Sequence, residues 1–323
     1  MTTPLLDIKD LRVTFQKEGQ LIKAVDGLSL TIQEGEVFGL IGESGSGKSV
    51  TGLSIMRLLD EGAKIESTWI KLKDQDLFSL SEKEMRKVRG NKISMIFQDP
   101  MTSLNPSIPI GRQIEESLVV HLRMSMEKSK ARVCELMEMV SIPDPKMSSK
   151  RYPHEFSGGM RQRVMIAMAL SCNPLLLIAD EPTTALDATI QAQILELIKN
   201  LVSKLRTSIF LISHDFGVIT ELCDNVSVIY GGSIVERAPI EVILKEPKHP
   251  YTVGLLNCVI STEEKVGWLE MIPGLPPDPK NFPSGCKFHP RCKQSKEICS
   301  KEIPILREID PRHFVSCFLY GCA

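Results

Sequence analysis

The run Gly42-Glu43-Ser44-Gly45-Ser46-Gly47-Lys48-Ser49 constrains this chain more than any other feature. It fits G-x-x-x-x-G-K-[ST] and follows a short apolar run, EVFGLIG at 36–42. An apolar-periodic stretch ending in GLSIMRLL comes next. A strand, a Gly-rich turn and a helix, in that order, are the context the motif requires. The glycines let consecutive backbone N–H groups turn inward around phosphate oxygens. Lys48 is placed to reach the β- and γ-phosphates of a nucleotide, and the Ser49 hydroxyl to hold Mg²⁺. The helix that begins here adds its positive end.

A second acidic site is expected at the end of a buried strand. PLLLIADE at 174–181 supplies it, with Asp180 and Glu181 as its last residues. A carboxylate at 180 can bind Mg²⁺ through water, and Glu181 can polarise an attacking water as general base. In HEFSGGMRQRVMIAMAL at 154–170, Ser157 is suited to cap a helix, and Gly158 and Gly159 leave backbone N–H groups open to an anion. A chain with one phosphate loop needs no second for the same nucleotide. The two are reconciled if the second serves a nucleotide bound to another subunit.

The rest of the chain has the pattern of an α/β protein. Residues 5–40 read as strands, with Leu28, Leu30 and Ile32 alternating at a period of two. From about 90 to 165 the pattern is helical and more polar, without clear strand signals. Ile190, Ile194, Leu197, Ile198 and Leu201 share one helix face. SIFLIS at 208–213 reads as another buried strand, and NVSVIYGGSIVERA as a hairpin turning at Gly231-Gly232. Strands alternating with helices predict a largely parallel sheet. The charged run SEKEMRKVRGNK at 81–92 reads as a solvated face rather than a docking patch.

Taken together, Gly42–Ser49, Gln98 in IFQDP, FSGGM, LLLIADE, TALD and His214 in LISHD resemble an ABC-type ATPase, in that family's order, over residues 5 to about 240. The resemblance implies a RecA-like P-loop core with N-terminal antiparallel strands at 1–89 and 166–240. It also implies an inserted helical subdomain at 90–165 and a small Cys-containing C-terminal extension at 241–323. Two such subunits would pair head to tail around two ATP molecules. Each ATP would lie between one chain's loop (Gly42, Ser44, Gly45, Ser46, Gly47, Lys48, Ser49, Val50) and the other chain's Ser157, Gly158, Gly159 and Met160. Ser49, Gln98 and Asp180 would serve Mg²⁺, with Gln98 sensing metal and attacking water. His214 would contact the γ-phosphate and hold Glu181, Asp187 would cross the dimer seam, and Phe15 would stack on adenine. Phe156 and Met160 stand where the family usually has Leu and Gln. A thioether cannot donate the hydrogen bonds of an amide, so a weaker hold on the partner's nucleotide is expected.

DPMTSLNP, TIQAQIL at 189–195, HPYT at 249–252 and the Pro-rich tail narrow the resemblance to ATPase subunits of oligopeptide/dipeptide importers, a group that includes nickel importers. The implied assembly has two ATPases, two membrane permeases and an external binding protein. The Met in the signature resembles one member of an unlike pair, the D-type ATPase, so a heterodimer is expected. A groove formed by the segment after Gln98 and the helical region is expected to receive a short permease helix. The implied location is the cytoplasmic face of the membrane.

The bulk properties agree with that reading. Apolar runs fall far short of the roughly 20 residues needed to span a bilayer, and MTTPLLDIKDL has no secretory pattern. The net charge of −1 gives no pull toward nucleic acid. With one ATPase core, no coiled-coil insertion and no basic bias, no nucleic-acid partner is expected. The rival reading is a soluble ABC ATPase acting on nucleic acid or translation, with a zinc-binding tail.

The tail is the least regular part. PGLPPDPKNFP at 273–283 has five prolines and reads as a linker or an extended wrap. Of nine cysteines, five crowd into residues 286–322. Cys286, Cys292, Cys299 and Cys317 are spaced more loosely than zinc pairs. Four thiolates at such spacing also suit a 4Fe–4S cluster, so chemistry alone leaves cluster, zinc and free thiols open. The family resemblance favours a 4Fe–4S cluster that folds the tail, with Zn²⁺ as the alternative. Cys134, Cys172, Cys223 and Cys258 read as buried thiols. His289 and His313 read as surface residues, and Cys322 is assigned nothing.

Overall fold

The computed structural model describes residues 3–17, 19–184, 186–260 and 272–321. The strands are β1 (Leu6–Lys17), β2 (Gln20–Ile32), β3 (Val37–Ile41), β4 (Ala63–Glu66), β5 (Trp69–Leu72), β6 (Gln75–Asp76), β7 (Ile93–Ile96), β8 (Leu176–Asp180), β9 (Ser208–Ser213), β10 (Asn225–Tyr230), β11 (Ser233–Pro239), β12 (Arg307–Asp310) and β13 (His313–Val315). The helices are α1 (Lys48–Met56), α2 (Glu82–Val88), α3 (Pro100–Ser103), α4 (Ile110–Leu122), α5 (Met126–Met139), α6 (Pro145–Ser148), α7 (Gly158–Leu170), α8 (Ala188–Leu205), α9 (Phe216–Leu222), α10 (Ile240–Lys245) and α11 (Pro250–Ile260). They fall into two compact units: Met1–Ile32, Val37–Phe78 and Ile212–Ala323 form one, Gln33–Glu36 and Ser79–Leu211 the other.

In the first unit, β2, β1, β5 and β6 form an antiparallel sheet, with β4 also on β1. The register sets Leu6 opposite Ile32 and Ile8 opposite Leu30. All four are buried, so the period-two apolar pattern lies on one packed face. A further group of strands runs β12-β13-β11-β10-β3. Here β10 lies parallel to β3, and β10 and β11 form the expected hairpin about Gly231 and Gly232.

The C-terminal segment does not hang beyond a linker. The strand β13 pairs antiparallel with β11, setting Val315 against Glu236 and Phe314 against Arg237. The Pro-rich stretch is the extended wrap, since the Lys23 N–H donates to the Pro279 carbonyl at 3.1 Å. Phe288 is buried against Tyr230 and Tyr251, with ring centroids at 5.1 and 5.4 Å. Glu236 is fully buried and accepts from the Lys248 and His249 backbone N–H groups at 2.7 and 2.9 Å. A buried carboxylate needs such donors, and the third is His313 Nε2 at 2.7 Å. His313 is therefore interior, against the surface expectation.

In the second unit β9, β8 and β7 are neighbours in that order, with β7 parallel to β8 from Ile93 opposite Leu176 to Ile96 opposite Ala179. Strand β7 was not expected. Its four residues, ISMI, are all buried, and so short a run carries no periodicity to separate it from a helix start. Helices α4, α5 and α7 pack on one another, and Ile114, Leu118, Val133, Leu136, Val164 and Ile166 on them are buried. On α8, Ile194, Ile198 and Leu201 are buried and Ile190 and Leu197 half-buried, as their spacing predicts. The charged run forms α2, capped by a Ser81–Glu84 box, with only Met85 and Val88 of the helix buried. Among the described residues no helix is long and apolar enough to cross a membrane.

Candidate functional site

The loop between β3 and α1 is built around Lys48. Its side chain is buried and curls back, so that Nζ donates to the carbonyls of Gly42 and Glu43 at 2.8 and 2.9 Å. Gly47 has φ 101°, and a Cβ there would lie 2.4 Å from the Ala24 carbonyl oxygen. Both conformation and space therefore require glycine. The hairpin turn braces the loop from behind, since the Gly232 N–H donates to the Ser46 carbonyl at 3.0 Å. Ser44 and Gly45 are exposed, whereas Ser46 is buried and its hydroxyl makes no hydrogen bond within the protein. A buried hydroxyl without a partner costs about 1–3 kcal/mol, which a phosphate oxygen would recover. The donor set therefore fits nucleotide phosphates. Ser49, the next residue of α1, has the hydroxyl that would hold Mg²⁺, and Val50 follows it. The first unit also carries Phe15, half-buried on β1 opposite Ile22, and His214, exposed just after β9.

The second unit holds the carboxylates. Asp180 is the buried last residue of β8. Glu181 then turns out of the strand with φ 48°, a left-handed conformation uncommon for a residue of this size. Its Oε2 accepts from Gln98 Nε2 at 2.9 Å and from the Thr184 hydroxyl at 2.9 Å. The structure thus brings Gln98 and Glu181 together across 83 positions of sequence. Thr184 escaped the sequence reading, although its place three residues after a candidate base was a usable signal. Ser157 caps α7, its hydroxyl accepting from the Met160 N–H at 3.4 Å, and Gly158 and Gly159 open the helix. Asp187 caps α8, accepting from the Ile190 N–H at 2.9 Å. Part of the TALD run, Ala185, lies outside the described residues.

The metal expectation for the tail does not hold. Among the described residues no group of three or more His, Cys, Asp or Glu side chains is placed to hold a metal ion. Cys286, Cys292, Cys299 and Cys317 are free thiols around a cavity of about 10 Å³. Burial pushes the Cys286 thiol up to about 11 and raises Cys292 and Cys317 as well. Neither a 4Fe–4S cluster nor Zn²⁺ is supported. Strand pairing and the Phe288 cluster hold the extension instead. Of the four dispersed cysteines, Cys172 and Cys223 are buried as expected, while Cys134 and Cys258 are half-buried. Cys322 lies outside the described residues.

Comparison with known proteins agrees with the loop. The ABC transporter family profile matches residues 25–184, and that of the oligopeptide/dipeptide transporter C-terminal region matches residues 235–299. The chain is 50% identical over 317 residues to the oligopeptide transport ATP-binding protein AppD of Bacillus subtilis (strain 168), covering 98% of this chain and 97% of that one. The dipeptide transport ATP-binding protein DppD of the same organism is 47% identical, over 98% of this chain and 94% of its own length. Among solved structures, the ATP-binding cassette MJ0796, in a dimeric post-hydrolysis state bound to ADP and Pi, matches with a TM-score of 0.66 at 28% identity. That match covers 73% of this chain and 98% of that one.

Proposed function

The chain belongs to the ABC transporter family, in the group of oligopeptide and dipeptide ATP-binding proteins, and from that premise we propose that its ATP hydrolysis powers peptide uptake through a membrane importer. The observation that carries this reading is identity with AppD along nearly the whole chain, tail included. The relatives named above favour peptide over nickel or nucleic acid as the business of the assembly. ATP binding closes a pair of ATPases and hydrolysis lets them part. Lys48 and the loop N–H groups hold the phosphates, Glu181 acts as base on the attacking water, and Gln98 orients it. Ser157, Gly158 and Gly159 face the nucleotide of a second subunit, with Asp187 at the seam. Met160 in place of an amide supports an unlike partner. His214 contacts the γ-phosphate, and Phe15 stacks on the base.

The chain sits at the cytoplasmic face of the membrane, held by two permease subunits that work with an external binding protein. Support for a docking surface comes from exposed apolar side chains concentrated in one stretch: Phe97, Met101, Ile108, Val119, Val120 and Leu122. The test is to tag the chain in its native cells, solubilise membranes gently and identify what co-purifies. Two polytopic permeases and a second related ATPase are expected. Recovery with ribosomal or nucleic-acid proteins would overturn the reading.

A further inference from the structure

The phosphate-binding loop is held from the C-terminal extension. Glu43, its second residue, receives both arms of Arg291: Nη1 to Oε2 at 2.7 Å and Nη2 to Oε1 at 3.0 Å. These residues are 248 positions apart. Arg291 is itself fixed by two other residues, Pro273 and Tyr230. Its Nε donates to the Pro273 carbonyl at 2.9 Å, its Nη1 reaches Tyr230 Oη at 3.3 Å, and the guanidinium lies 5.8 Å from the Tyr230 ring centroid. The Arg291 side chain is 6% exposed and that of Glu43 25%. A two-armed guanidinium–carboxylate pair so placed fixes orientation as well as charge.

The chain of contacts leads on to the phosphate machinery. The Glu43 N–H donates to Tyr251 Oη at 2.9 Å, and the Glu43 carbonyl accepts from Lys48 Nζ at 2.9 Å. One residue therefore joins the extension, through its side chain, to the lysine that meets the nucleotide, through its backbone. Its carboxylate also sits in the loop that must receive a polyanion. Without Arg291 that carboxylate would repel the incoming phosphates. A surface ion pair has neither property and contributes little.

We propose that Arg291 is a positioning residue for the phosphate-binding loop: by neutralising the Glu43 carboxylate and keeping it from the phosphates, the folded extension sets the affinity of the loop for ATP. This rests on the loop being the ATP site, but not on which substrate is transported. Arg291 acts on the loop through the Glu43 side chain, so its loss acts on binding rather than on the chemical step.

The test uses the full chain and a fluorescent ATP analogue for Kd, with steady-state hydrolysis alongside. Arg291→Gln is expected to raise the Kd and KM for ATP about three- to tenfold, as one uncompensated charge near several phosphate charges should, with kcat little changed. Adding Glu43→Gln removes the stranded charge and should bring Kd back near the wild-type value. An unchanged Kd in Arg291→Gln overturns the proposal. So does a loss that the double variant fails to restore, since that marks a structural staple only. If Arg291→Gln does not fold, Glu43→Gln alone decides: equal or tighter ATP binding is expected, and clearly weaker binding overturns the proposal. Wild-type chain that binds no ATP would instead overturn the reading of the loop itself.

Discussion

At the scale of single residues, Glu181 combines position with strain. The backbone leaves β8 in a left-handed turn, and the carboxylate is pinned by Gln98 and Thr184 rather than left to solvent. Holding a non-glycine residue in such a backbone conformation costs on the order of 1–3 kcal/mol. The pinning fits a general base, which must point at one water. Glu181→Gln keeps the size of the side chain and removes its ability to take a proton. Hydrolysis by the assembled complex should fall by at least ~10²-fold while ATP affinity is retained. Near-normal turnover would mean that the partner subunit carries hydrolysis or that another group is the base. Lys48 needs no such strain. Its ammonium rests on two loop carbonyls, those of Gly42 and Glu43.

At the scale of elements, the two glycines that open α7 do different things. A Cβ on Gly158 would lie 3.7 Å from Leu186 Cδ2, which is ordinary contact. A Cβ on Gly159 would come 2.8 Å from Ile190 Cγ2, on the first turn of α8. That atom belongs to a β-branched stem, which has no spare rotamer to swing into. Alanine is favoured over glycine in a helix by up to about 1 kcal/mol, less in the first turn. Overpacking of this kind costs about 1–3 kcal/mol, so the clash should win. Gly159→Ala is expected to lower stability by about 1 kcal/mol in urea unfolding, and Ile190→Ala in the same chain should relieve the clash. If Gly159→Ala instead stabilises, the two helices separate more readily than their packing implies. The start of α7 and the first turn of α8, which Asp187 caps, are thus joined by a close helix contact, which the sequence GG does not reveal.

At the scale of the whole chain, what was legible followed from how local the signal was. The loop, the capping serine, the hairpin and the amphipathic α8 are set by neighbours within a few residues, and each was found where its pattern lay. Strand β7 was too short to show a period. The tail was misread because cysteine spacing is a local clue, whereas its order comes from β13 on β11, Phe288 on Tyr230 and Tyr251, and Arg291 on Glu43, all distant in sequence. The same distant contacts bury His249, and a global property follows. The residue is 1% exposed, its ring centroid lies 5.7 Å from that of Phe288, and Nδ1 accepts the Tyr251 N–H at 3.1 Å. Burial lowers it from 6.5 to about 3, so the folded chain keeps it neutral where the unfolded chain protonates it. Between those values the unfolded state binds the extra proton, and stability must fall as the pH falls. The contribution is fully present above 6.5 and is lost progressively toward 3. At one pH unit below 6.5 the loss is about 1.4 kcal/mol. His249→Gln, which keeps an acceptor but does not titrate, should be less stable than wild type near neutrality yet lose less on acidification. Urea midpoints at two pH values on either side of 6.5 measure this, each chain serving as its own reference for the other titrating groups. Parallel losses in the two chains would mean that the ring takes a proton in the folded chain and is not held neutral by its burial.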